Sequence, residues 1–156
     1  QRQQAEAIID ARTRIEPHYV RTCVEILTQR PEVMVVGGAQ LAVARDNTAR
    51  AIGIARALNN RWSMGGSPYR RSTTSRPSDT VYLGVFRRAA LERVGGFDET
   101  MHRAQDWELN YRLREAGHVV WLDPALRVTY WPRSSWPKLV RQFFATGVWR
   151  GELVRR

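Results

Sequence analysis

Four consecutive apolar residues, Val33-Met34-Val35-Val36, closed by Gly37-Gly38, constrain this chain more than any other stretch. Successive strand side chains point to opposite faces, so an unbroken apolar run suits a strand covered on both. Helical patterns flank the run in the sequence. Pro17 is well placed as a first helical residue, because its missing N–H is not needed there. Tyr19, Val20, Cys23, Ile26 and Leu27 then fall at helical spacing, and the helix ends near Arg30-Pro31. A second helix, about Asn47 to Asn59, turns Ala51, Ile54, Ala55 and Leu58 inward. Strands alternating with helices predict a mixed α/β layer and exclude an all-α bundle.

The other segments fill this frame. Glu6 to Ile9 reads as a short strand, with Asp10-Ala11-Arg12-Thr13 as a loop, and Gln40 to Ala44 as an extended piece. Arg61 to Asp79 carries Gly65, Gly66, Pro68, Pro77, Arg70, Arg71 and Arg76, and is expected to be one long loop, of the length that is usually functional or mobile. Thr80 to Phe86 is a strand with Gly84 inside it, where another group can approach closely. Arg88 to Val94 is a short helix; His118 to Leu122 and Leu126 to Trp131 are strands separated by Asp123-Pro124.

The 156 residues make one domain or part of one, and 43% hydrophobic content fits a folded protein. A net charge of +10 predicts an anionic partner: nucleic acid, anionic lipid or a phosphorylated substrate. The single cysteine, Cys23, forms no internal disulfide and argues for a reducing compartment; within an apolar helical pattern it reads as buried filler. No apolar run reaches membrane-spanning length, and no signal peptide is visible. The chain begins at Gln1 in mid-pattern, which we read as a piece of a longer protein.

The chemistry concentrates between Gly95 and Gly117. Gly95-Gly96 can close a helix and turn sharply, Asp98-Glu99 forms an acidic loop, and a new helix follows with Leu109, Leu113 and Ala116 on one face and Gly117 as its stop. Asp106 falls in the first turn of that helix, where the dipole favours an anion. Two readings are open for it: a positioned general base, or an acid that only stabilises the helix. The tail, Ser135 to Arg156, has helical spacing, with Trp136, Leu139, Val140, Phe143, Phe144, Val148, Trp149 and Leu153 apolar and Lys138, Arg141, Arg150, Arg155 and Arg156 basic. It suits either an interfacial membrane helix or one packed on its own domain.

The segment from Gly95 resembles the acceptor-side motif of family 2 glycosyltransferases, Gly-Gly-Phe-Asp-Glu followed by (Glu/Gln)-Asp-x-Glu-Leu-x-x-Arg-Leu-Arg-x-x-Gly. Asp10-Ala11-Arg12 resembles that family's Asp-x-Asp position, and Gln142 to Arg150 resembles its Gln-x-x-x-x-Gly-x-Trp-(Lys/Arg) tail. Val36-Gly37-Gly38, Asp79 to Gly84 with Phe86-Arg87-Arg88, and Tyr130-Trp131-Pro132-Arg133-Ser134 occur in the expected order, most like the succinoglycan-biosynthesis type. The resemblance implies the C-terminal part of a GT-A domain, a Rossmann-like mixed sheet flanked by helices, over residues 1–134, and a basic amphipathic helix over 135–156. It implies an inverting transferase of the hexosyl type that moves a sugar from a nucleotide-diphosphate donor to a saccharide or polyprenyl-linked acceptor in polysaccharide biosynthesis. Asp106 would be the catalytic base. Asp98, Glu99, Gln105, Gln142 and Trp149 would serve the acceptor, and Asp10, Arg12, Arg70 and Arg71 the donor diphosphate. Asp10 would hold Mg²⁺ or Mn²⁺, with Arg12 standing where the motif has its second ligand.

By the same resemblance the protein would act at the cytoplasmic face of a bacterial inner membrane, with no nucleic acid as partner. The strands that bind the nucleobase lie outside this chain, so the chain alone is expected to be inactive. The competing reading is a non-enzymatic basic module for nucleic acid or anionic membrane. It accounts for the charge but gives the acidic Asp98-Glu99 and Asp106 cluster no task.

Overall fold

The structure, a computed structural model, describes residues 4–7, 9–62, 67–101 and 104–155. The expectations that fall on Ile8, Gly65, Gly66 and Arg156 lie outside the described residues. A five-stranded sheet runs in the order β1 (Ala5–Ala7), β6 (Tyr82–Arg87), β3 (Val33–Gly38), β7 (Val119–Leu122), β5 (Arg76–Pro77). β3 pairs antiparallel with β6 and parallel with β7, so the sheet is mixed, as expected. A three-stranded sheet holds β2 (Thr13–Ile15), β8 (Val128–Tyr130) and β4 (Gln40–Ala42), with β8 antiparallel to β2 and parallel to β4.

The apolar run is the central strand, and both its faces are covered. Val33 and Val36 pack with Tyr19, Cys23 and Leu27 of α1 (Tyr19–Gln29). Val35 packs on the other side with Leu91 of α4 (Arg88–Arg93) and with Leu109 and Leu113 of α5 (Gln105–Glu115). Leu109 and Leu113 are fully buried, and each such side chain contributes about 1.5–3 kcal/mol. Ala51, Ile54, Ala55 and Leu58 are the buried residues of α2 (Ala49–Asn59), as their spacing predicts. That helix starts where the Thr48 hydroxyl accepts the Ala51 N–H.

Three expectations are corrected. The segment Arg61 to Asp79 is not one featureless loop: it contains α3 (Pro68–Arg71), and β5 pairs there with β7. Thr13 leaves the expected loop to begin β2, because Tyr130 of β8 lies opposite it. Ala116 is exposed beyond the end of α5, since the helix stops one residue short of it.

The chain crosses from the larger sheet to the smaller between β1 and β2, between β3 and β4, and between β7 and β8. These crossings touch: a Cβ on Gly38 would lie 1.3 Å from the Leu126 carbonyl oxygen, so only glycine allows the approach. The final helix, α6 (Trp136–Arg155), docks Leu139 and Phe143 on the cluster of Ala42, Ile54, Leu58 and Tyr130. Its Trp136, Val140, Phe144 and Val148, four residues apart, form an exposed stripe. No helix among the described residues is long and apolar enough to cross a membrane.

Candidate active site

Asp10 sits in the first crossing between the sheets. Its Oδ1 accepts the Arg12 N–H at 2.9 Å, and its carbonyl accepts the Thr13 N–H at 3.1 Å and the Thr13 hydroxyl at 2.6 Å. The turn therefore fixes the carboxylate by local hydrogen bonds. Its Oδ2 accepts the Tyr82 hydroxyl at 3.4 Å.

Asp106 approaches the same place from α5. The helix begins after Ala104, a left-handed residue with φ 59°. A residue with a Cβ is strained there, and such strain gathers at functional sites. The Gln105 amide donates to the Met101 carbonyl, and the Asp106 Oδ1 accepts the Trp107 N–H at 2.9 Å. The Asp106 surface is open to solvent, yet protein surrounds it at longer range and replaces bulk water. That loss of solvation raises its pKa above the ordinary 3.8; the Trp107 N–H and the Arg150 cation oppose the rise, and the charge of Asp10 adds to it.

Asp10, Tyr82, Ala104 and Asp106 line two clefts at once, one of about 350 Å³ and one of about 230 Å³. The larger adds Arg70, Gln40, Tyr69, Tyr130, Gln142, Trp107 and Arg150. The smaller adds Leu83, Gly84, Phe97 and Gln105. Two carboxylates thus stand where a charged cleft and a smaller one meet. Tyr82 and Tyr130 meet edge to face, 6.5 Å between centroids, and burial raises the Tyr82 pKa, assisted by Asp10. Gln142 donates to the Tyr130 hydroxyl at 3.3 Å and accepts from Arg133 Nε at 3.2 Å.

Of the residues singled out in the sequence, the structure brings Asp10, Asp106, Arg70, Gln105 and Gln142 to these clefts. Arg12, Arg71, Asp98, Glu99 and Trp149 are not among the described lining residues. Asp98 orders its loop: its Oδ1 accepts the N–H and hydroxyl of Thr100 at 2.9 and 2.6 Å. Sequence reasoning passed over Tyr82, Tyr130, Trp107, Arg150, Gln40 and Tyr69. Tyr82, Tyr130, Trp107 and Arg150 lie inside motifs already quoted, but nothing local shows that those motifs converge.

Asp10 would offer a divalent cation one carboxylate, and among the described residues no group of three or more His, Cys, Asp or Glu side chains forms a metal cluster. Such a donor set fits Mg²⁺ or Mn²⁺ taken up with substrate phosphate oxygens and water, not a dedicated protein cage.

The family described as "Glycosyltransferase like family 2" matches residues 3–147. The succinoglycan biosynthesis protein ExoA of Rhizobium meliloti (strain 1021) is 32% identical over 91 residues, 58% of this chain and 28% of that protein. The dolichyl N-acetyl-alpha-D-glucosaminyl phosphate 3-beta-D-2,3-diacetamido-2,3-dideoxy-beta-D-glucuronosyltransferase of Methanococcus voltae is 25% identical over 138 residues, 88% of this chain and 42% of that protein. The chain therefore spans less than half of either relative. A crystal structure of GalNAc-T7 with UDP, GalNAc and Mn²⁺ aligns with a TM-score of 0.57 at 12% identity, covering 83% of this chain and 28% of that one. This likeness shows the GT-A fold.

Proposed function

The chain belongs to glycosyltransferase-like family 2, and from that premise we propose that it carries the catalytic base and the acceptor side of an inverting hexosyltransferase in polysaccharide biosynthesis. The observation that supports this reading is Asp106 itself. It lies at the junction of two clefts, open at its surface, with a pKa raised by loss of solvation. A carboxylate of raised pKa is a stronger base, and this one is poised to accept a proton where two substrates can meet.

The acceptor hydroxyl gives its proton to Asp106 while its oxygen attacks the anomeric carbon. The bond from that carbon to the diphosphate oxygen breaks, its electron pair leaves with the nucleoside diphosphate, and the configuration inverts. Asp10 would hold Mg²⁺ or Mn²⁺, which offsets charge on the leaving diphosphate. Gln142, Gln105 and Trp149 serve the saccharide or polyprenyl-linked acceptor in this reading, and Asp98 and Glu99 shape the loop before Asp106. The exposed stripe of α6, beside Lys138, Arg141 and Arg155, supports association with an anionic membrane surface, taken here as the cytoplasmic face of a bacterial inner membrane.

The test uses the full-length protein and a panel of nucleotide sugars, with and without Mn²⁺. Release of nucleoside diphosphate that disappears in Asp106→Asn, with the variant folded, is the expected result. Equal release by wild type and variant would overturn the assignment of the base.

A further inference from the structure

Asn110 and Thr80 are, with Glu108, the buried polar side chains among the described residues, at 1% and 9% exposure. Asn110 lies one helical turn beyond Asp106 on α5, and in sequence it falls between the core residues Leu109 and Leu113. Its Nδ2 donates to the Thr80 hydroxyl at 3.0 Å. Its Oδ1 is buried with no hydrogen-bond partner among the described residues. An unpaired buried amide oxygen works against stability, so an apolar residue of similar size would suit this place in the core better.

Thr80 is held at three points. Its N–H donates to Asp79 Oδ1 at 3.0 Å, its carbonyl accepts the Ser78 hydroxyl at 2.9 Å, and its own hydroxyl accepts from Asn110. It lines the larger cleft together with Asp106, two residues before Tyr82, whose hydroxyl meets Asp10. The apolar packing of Val81 with Leu109 and Leu113 has no direction, and leaves a helix free to turn or slide by small amounts. A buried hydrogen bond has both direction and length. We infer that Asn110 and Thr80 are positioning residues for Asp106, their bond fixing how the first turn of α5 stands over the cleft. The inference rests on reading Asp106 as the base. Asn110 is too deeply buried to touch a substrate, so it acts only through the helix, and its unpaired Oδ1 marks stability traded for that placement.

The experiment measures thermal unfolding and nucleoside diphosphate release on the full-length protein, with the nucleotide sugar of the panel above that wild type turns over. Thr80→Val combined with Asn110→Leu removes both polar partners and keeps their approximate shapes. This double variant is expected to melt at or above the wild-type temperature. It is also expected to turn over about 10–100-fold more slowly, the result of a small misplacement, with KM for the nucleotide sugar within about twofold of wild type. Thr80→Ser keeps the hydroxyl and should retain most of the rate. Added to Asp106→Asn, the double substitution should slow the residual reaction no further, because the group it positions is gone.

A double variant that melts below wild type or fails to fold overturns the inference, since activity and stability would then fall together through a loosened core. An equal further loss in the Asp106→Asn background overturns it too. Full transfer by Asp106→Asn alone removes the base and this inference with it. Wild-type turnover in the double variant, beside a slowed Asp106→Asn, removes the positioning pair and leaves the base in place.

Discussion

Arg112 holds Glu108 and the preceding corner of the chain in one grip. Its Nη2 donates to Glu108 Oε2 and to the Gly96 carbonyl, both at 2.7 Å, and its Nη1 donates to the Val94 carbonyl. Glu108 is 7% exposed, so the pair sits close to the core. The first turn of α5, which carries Asp106, is thereby stapled to the end of α4. The neighbouring Glu108 bonds raise the Arg112 pKa further, with Asp98 adding a smaller push.

Removing one partner of this pair leaves the other without compensation. Arg112→Met strands the Glu108 carboxylate and is expected to destabilise the fold by about 3 kcal/mol. Arg112→Lys keeps the charge but cannot reach two carbonyls and a carboxylate together, and falls between. Urea denaturation reads both. If Arg112→Met unfolded at the wild-type midpoint, the staple would have no energetic role.

Two glycines should respond in opposite directions. Gly38→Ala sets a Cβ against the Leu126 carbonyl oxygen, a backbone atom that cannot step aside, and the variant is expected not to fold. Gly53 lies within α2, where a Cβ meets nothing within 4 Å. Gly53→Ala should stabilise by about 0.5–1 kcal/mol through helix propensity. Circular dichroism and denaturation midpoints decide both. A folded Gly38→Ala protein would mean that the crossings do not touch as described.

Cys23 is fully buried, its thiol pushed up to about 12 by burial and, to a lesser degree, by the charge of Asp123. Only the thiolate reacts, so the native protein should resist iodoacetamide at pH 8 and be alkylated readily in urea. Rapid labelling of the native state would show that α1 opens.

Local pattern revealed what local physics sets. The unbroken apolar run at Val33 to Val36 demanded a two-sided strand. The inward residues of α2 followed from their spacing, and Gly117 stops α5 with φ 79° because a residue without Cβ takes that conformation freely. What stayed hidden depends on distant partners. β2 and β5 are two or three residues long and exist only through their pairing with β8 and β7. Tyr82, Gln40 and Tyr130 share a cleft because the chain crosses between the sheets more than once near one place, which no spacing along the sequence encodes. Asp106 and Asp10 were legible as acids at turns; that they face one space was visible only through resemblance.

The raised pKa of Asp106 ties stability to the proposed chemistry. Its folded pKa lies above the ordinary 3.8, so between those values the folded state binds more protons than the unfolded. Stability from this group therefore falls as pH rises from 3.8 through the folded pKa, and the deficit persists at neutral pH. Asp106→Asn cannot ionise. It should melt at a higher temperature than wild type at pH 7, and the difference should close as the pH drops below 3.8, where both side chains are neutral. The same substitution in the full-length enzyme should lower transfer about 10²–10⁴-fold, the usual contribution of a positioned base. Wild-type transfer should fail on acidification at a pH above the ordinary aspartate range, because the base is lost once it holds its proton. Calorimetry across pH and the acid limb of the rate profile measure one carboxylate in two ways. A variant less stable than wild type at pH 7, whatever its activity, would show that the protein around Asp106 favours its charge.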